Sequence, residues 1–287
     1  MTAELIISTL LKLVYWDGSQ AYVFHEGDMD DGVANYYGIT WNPDGIMYVS
    51  GCLDSRFVLY KFDMSTLQEI GVLHGELHEV HQILWYDDKL YVANTGKNRV
   101  DVWHNDSWHA VAWNPSHCDV EHINSIWSDG QNMYVVEYRH KVSEMSAVRI
   151  CTMDLDLLNT IDIGPNVHNV YREGNCIYNL TSPHNGDPAG MIITDLIDGT
   201  QRRVDKSEWG MVLMRGLVRV NDGWYVGMSP WKTDRSKRRD GDAVIAQLNN
   251  EFEEVDRITL PDYGPVCSIR ALGVRNPSHN GIVMDVL

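Results

Sequence analysis

The feature that most constrains this chain is a unit that it repeats along its length. In residues 79–103, EVHQILWYDDKLYVANTGKNRVDVW, a short apolar run passes through the turn Tyr86-Asp87-Asp88-Lys89 into a second run. The loop Asn94-Thr95-Gly96-Lys97-Asn98 then leads into a third. Short runs of Val, Ile, Tyr and Trp separated by tight polar turns specify antiparallel strands. Variants recur at roughly 40 to 50 residues, the spacing of propeller blades. The first full copy, from Tyr36, is YYGITW, the turn Asn42-Pro43-Asp44-Gly45, IMYVSG, RFVLYKFD and LQEIGVL. The second is the stretch just quoted, closed by WHAVAW. The third runs through EHINSIW, NMYVVEY, AVRICTMD and LLNTIDI, and the fourth through VHNVYREG, CIYNLTS, GMIITDL and TQRRVD. The fifth is MRGLVRVNDG, WYVGMSP, AVIAQLN and EVDRITL.

A sixth copy starts at Ser268 with SIRALGV and continues into IVMDVL without outer strands. The N-terminal runs LIISTL, KLVYWDG and QAYVFHE supply them, which closes the ring and leaves no open edge. The expected fold is therefore all-β: a six-bladed β-propeller, one domain over residues 1–287, with the N- and C-terminal segments joined in one blade. LIISTL and IVMDVL both suit the second strand of that blade. A five-bladed ring would strand either SIRALGV or the N-terminal runs, and a β-sandwich would not repeat so regularly. No long stretch has helical period.

The charge balance narrows the partners. Forty acidic residues against 23 basic ones give −17 with His neutral. Such a chain repels phosphate backbones and anionic membranes, so neither nucleic acid nor membrane is expected as a partner. Five dispersed cysteines, Cys52, Cys118, Cys151, Cys176 and Cys267, suit reduced thiols in a cytoplasmic protein. The apolar run 5–13 follows Glu4, lacks a basic start and contains Lys12, so no signal peptide is expected. No run of about 18 apolar residues predicts a transmembrane helix.

The run VANTGKNRVDVW is similar to the strand–loop–strand signature of NHL-type propeller repeats. HQILWYDDKLYVANT, EHINSIW, VGMSPWK and GPVCSIRAL occur in an order that resembles an uncharacterised group of bacterial propeller proteins. That resemblance implies the fold and no particular reaction. Gluconolactonase- and regucalcin-like propellers share six blades and an axial metal, and this chain departs from their acidic metal-ligand pattern.

In a propeller the first strand of each blade lines the axial channel. Aligning the first strands places Tyr37, His81, Ile123 with His122 beside it, His168, Arg215 and Arg270 at one level. Gly38, Gln82, Asn124, Asn169, Gly216 and Ala271 follow at the next. His81, His122 and His168 would serve as catalytic bases or hold a divalent metal, since three imidazoles with open positions form a usual catalytic zinc arrangement. Arg215 and Arg270 would clamp a small anionic molecule, with Tyr37, Gln82, Asn124 and Asn169 beside them. Tyr138 and His184, in second-to-third-strand loops, would add an acid and a substrate contact. Trp231, in the basic loop SPWKTDRSKRRDGD, would pack over the substrate. Trp41, Trp85 and Trp127 recur at the ends of first strands and are expected to pack between blades.

No Walker A loop, GxGxxG, GxSxG or HExxH motif is present, so no nucleotide cofactor is expected. The expected function is an enzyme, metal-dependent or not, with lyase, hydrolase or oxidative chemistry on a small anion. The alternative is a non-enzymatic module that binds a peptide or protein on the same face.

Overall fold

The computed structural model describes residues 3–27, 36–112, 119–140, 145–183, 187–221, 223–230, 237, 239 and 241–273. Three N-terminal strands, β1 (Leu5–Thr9), β2 (Lys12–Trp16) and β3 (Ala21–Glu26), begin the chain. Five complete blades follow. Blade I holds β4 (Ile39–Trp41), β5 (Ile46–Leu53), β6 (Arg56–Asp63) and β7 (Glu69–Leu73). Blade II holds β8 (Val80–Tyr86), β9 (Lys89–Asn94), β10 (Arg99–His104) and β11 (Ser107–Ala112). Blade III holds β12 (Ile123–Ser128), β13 (Met133–Glu137), β14 (Met145–Cys151) and β15 (Leu157–Pro165). Blade IV holds β16 (Val167–Glu173), β17 (Cys176–Thr181), β18 (Gly190–Asp195) and β19 (Gln201–Asp205). Blade V holds β20 (Val212–Val220), β21 (Gly223–Pro230), β22 (Ala243–Leu248) and β23 (Glu254–Leu260). The last described strand, β24 (Val266–Ala271), pairs with β1, so blade VI has the order β24-β1-β2-β3. Six four-stranded antiparallel sheets in a ring make this a six-bladed β-propeller.

Closure joins the two ends of the chain, as the repeats require. The second strand of blade VI is LIIST, with Ile7 opposite Ile269 and Ile6 opposite Arg270. The other candidate for that position, IVMDVL, lies outside the described residues.

The core is built between sheets. Ile6 and Leu13 pack against Tyr36, Ile39 and Trp41 of blade I, whereas Leu5 and Ile7 pack against Val218, Tyr225 and Ile245 of blade V. Alternating side chains of one strand thus serve opposite neighbours, which is why LIIST is apolar on both faces. The expected tryptophan role holds: Trp85 stacks on Tyr48 of blade I at 5.5 Å, and Trp127 contacts Tyr171 of blade IV at 5.4 Å. Among the described residues no helix is long and apolar enough to cross a membrane.

Because Ile7 is completely buried at the closure, Ile7→Ala is expected to cost about 2–5 kcal/mol of stability. Ile197→Ala, at a side chain 76% exposed, is expected to stay within about 0.5 kcal/mol. Urea unfolding of the two variants checks the contrast.

Candidate functional site

Each innermost strand carries an extra residue near its start. Against the second strand, the register slips between Val80 and Ile83, Ile123 and Ser125, His168 and Tyr171, Arg215 and Leu217, and at Cys267 between Val266 and Ser268. In blade I, Tyr37 N donates to Ser50 O while Ser50 N donates to Gly38 O, so two residues again oppose one. These are β-bulges, which re-aim side chains. Here they let two successive residues of most strands line the axis.

The bulges are tied into a belt that runs around the axis. Gly38 N donates to His81 O, and Thr95 Oγ1 donates to Ile123 O. Asn124 Nδ2 donates to Val167 O, and Asn169 N to Ser125 Oγ. Gly216 N donates to Asn169 Oδ1, Val266 N to Ser229 Oγ, and Ser8 Oγ to Tyr37 O. Every junction between neighbouring blades therefore has a polar link at one level. Gly38 and Gly216 make two approaches possible. A Cβ on Gly38 would lie 2.6 Å from Ile83 N, and Gly216 has φ of 77° beside Ile269.

The axial recess inside this belt is lined by Tyr37, His81, Asn124, His168, Arg215 and Cys267, and by Gly38, Gln82, Ser125, Asn169 and Ser268 one residue further along. Gln82 and Asn169 meet across it, Nδ2 to Oε1, at 3.4 Å. The space open to the centre of a water-sized sphere is about 20 Å³, room for about one or two waters. Among the described residues no carboxylate lines it.

Two sequence-level placements are corrected here. Blade III contributes Asn124 to the ring, while His122 stands just before the strand, where blades II and IV have Glu79 and Asn166. All three have positive φ. Arg270 lies outside the recess: its Nε donates to Ile39 O, and burial lowers its pKa to about 10. The bulge in β24 moves the ring position to Cys267 and Ser268. The signal that marks the true level is an apolar pair three residues apart: YYGI, VHQI, INSI, VHNV, MRGL and VCSI.

Tyr37, His81, Gln82, Asn124, His168, Asn169 and Arg215 come together as expected. His122 and Tyr138 stand next to them: ring centroids run from His81 to His122 at 4.9 Å, to Tyr138 at 5.4 Å and on to His168 at 5.2 Å. The Tyr138 hydroxyl donates to Asn166 Oδ1. His184 and Trp231 lie outside the described residues. The rim residues His74 and Glu76 line a separate hollow with Arg99, Asp101 and Trp108.

Hydrogen bonds set the two ring histidines in opposite tautomers. His81 Nδ1 lies 3.1 Å from Glu79 O and 2.7 Å from Thr95 Oγ1, whose own proton goes to a carbonyl. Both are acceptors, so Nδ1 carries the proton and the Nε2 lone pair is left open. His168 Nδ1 lies 3.0 Å from Asn124 Nδ2. That amide is oriented by Ser125 Oγ, which donates to its Oδ1, so the His168 Nδ1 accepts and its Nε2 carries the proton.

Burial holds both rings neutral, pushing each pKa well below the usual histidine value, with Arg215 and the other histidines adding to the effect. Burial likewise raises Tyr37 and pushes the Cys267 thiol up to about 11. Arg215 has no carboxylate partner among the described residues, and its Nε is buried without a hydrogen bond. His122 differs, because its Nδ1 is held by Asp119 at 2.9 and 3.0 Å. Burial raises Asp119, but His122 and Arg139 outweigh it and hold the carboxyl below its usual value.

Among the described residues no three His, Cys, Asp or Glu side chains are grouped to hold an ion.

No family model matches the chain, and no curated protein matches it in sequence. Its fold is similar to a chain of a nidogen/laminin complex, with TM-score 0.68 and 11% identity over 93% of this chain and 97% of that one. A protein of unknown function from Bacteroides caccae has TM-score 0.68 and 12% identity over 94% and 98%. TolB from Acinetobacter baumannii has TM-score 0.62 and 10% identity over 93% of this chain and 66% of its own. These likenesses show the propeller fold alone, and the finer NHL and gluconolactonase likeness is not shown by them.

The depressed histidine pKa values set a pH dependence. Above about pH 7 the two rings are neutral whether the chain is folded or not, and contribute nothing. Below about 6.5 the unfolded rings take protons that the folded ones refuse, so stability falls with pH by up to about 1.4 kcal/mol per unit per ring. Urea unfolding between pH 7.5 and 5.5 is expected to show this slope. His168→Asn is expected to remove one ring's share.

Proposed function

We propose that this protein is an acid–base enzyme acting on a small anionic molecule held at the propeller axis. One observation carries the reading: two neutral histidines of opposite tautomer share a recess with Arg215, and among the described residues no carboxylate lines it. Arg215 is the counter-charge that orients the anion. His81 Nε2 takes a proton, and His168 Nε2–H donates a hydrogen bond to the group that leaves. Of lyase, hydrolase and oxidative chemistry, an elimination uses this pair most directly. His81 removes a C–H proton, that bond's electron pair forms the C=C bond, and the leaving group departs with its bonding pair, hydrogen-bonded by His168 Nε2–H and protonated by water. Loss of the captured proton to solvent then resets His81. Neutral rings suit the task, because a protonated His81 has no lone pair to offer.

Removal of the proton is measurable without knowing the product. A panel of short hydroxy acids in D₂O, followed by proton NMR, is expected to show enzyme-dependent exchange or turnover of one member. His81→Ala is expected to slow it by about 10²- to 10⁴-fold. Undiminished exchange in that variant would refute the assignment of His81 as base.

A further inference from the structure

The recess holds two polar atoms that the protein itself leaves unused. Ser268 is 2% exposed, and its Oγ has no hydrogen-bond partner. Arg215 Nε is in the same condition. Both residues line the recess together with His168, whose outer nitrogen bears a proton. A buried donor without a partner costs free energy, so such atoms mark where a ligand completes the site.

We infer that the anion is a monocarboxylate, its head group received by Arg215 Nε and Ser268 Oγ. This rests on the acid–base reading above for what happens afterwards, and names the chemical class of that site's substrate. Three arguments favour a carboxylate over phosphate or sulfate. The open space of about 20 Å³ accepts a flat two-oxygen group more readily than a tetrahedral four-oxygen one. Among the described residues one guanidinium faces the recess while the histidines are neutral, so they supply one positive charge, which a dianion would exceed. Two donors satisfy a carboxylate, one at each oxygen, and leave His81 Nε2 and His168 Nε2–H free for the neighbouring atoms. The narrowness also means that only the head group sits in the recess. The remainder of the molecule stands against the wall of rings from His81 through His122 and Tyr138 to His168.

Isothermal titration at fixed ionic strength and pH 7.5 tests this with acetate, chloride, phosphate and sulfate. Acetate is expected to bind saturably, and the other three at least about 10-fold more weakly. Ser268→Ala is expected to weaken acetate about 10-fold and Arg215→Gln about 100-fold, the range for hydrogen bonds to a charged group. Melting temperatures measured alongside show that the variants fold, and the anion ranking needs no variant. Phosphate or sulfate binding as tightly as acetate, no saturable acetate binding, or unchanged acetate affinity in either variant would overturn the proposal. The acid–base reading fails separately, through His81→Ala in the exchange assay, so the two outcomes are distinguishable.

Discussion

The site depends on a belt of bulged residues whose hydrogen bonds pass from blade to blade around the axis. An unbroken inner strand would show the axis every second residue, with an inter-blade contact between. The bulge breaks that alternation once per strand, so adjacent residues such as His81 and Gln82, or His168 and Asn169, share the recess. It also frees backbone N–H groups, which Ser50, Ser125 and Ser229 accept through their hydroxyl oxygens. The same small polar side chains that repair the ladder therefore fix how far apart the blades stand. Ring closure through β24 and β1 carries the belt across the chain ends.

Within that belt, burial is the main force on the chemistry. In a chain of net charge −17, no carboxylate among the described residues lines the axial recess or pairs with Arg215. A neutral imidazole near the Arg215 guanidinium resists a second positive charge, so desolvation and Arg215 act in the same direction on His81 and His168. Their different hydrogen-bond partners then separate their roles. Thr95, from the turn between β9 and β10, fixes one tautomer, and Asn124, from the neighbouring inner strand, fixes the other.

The ring of blades was legible because strand runs and Asp-Gly turns are local features that repeat. Tyr37, His81, His168 and Arg215 were legible because their strands were aligned on the right residues. His122 was set at the ring level because a His stood beside Ile123, and the positive φ that places it before the strand leaves no mark in composition. Arg270 was set there because the sixth inner strand was aligned from Ser268, three residues past the ring position, whereas the one-residue bulge puts Cys267 and Ser268 at the axis. Bulges are visible only as the apolar pair spaced by three, a pattern that unbroken alternation does not contain. Ser268 and Thr95 gave no signal at all, since their importance comes from partners far away in the chain or from having none.

The most direct measurement is the protonation state of the two axial imidazoles, read by long-range ¹⁵N–¹H NMR on protein labelled in its histidines and assigned by single substitutions. At pH 7.5 the account predicts two neutral rings, His81 protonated on Nδ1 and His168 on Nε2. A cationic signal for either ring, or the same tautomer for both, would contradict it.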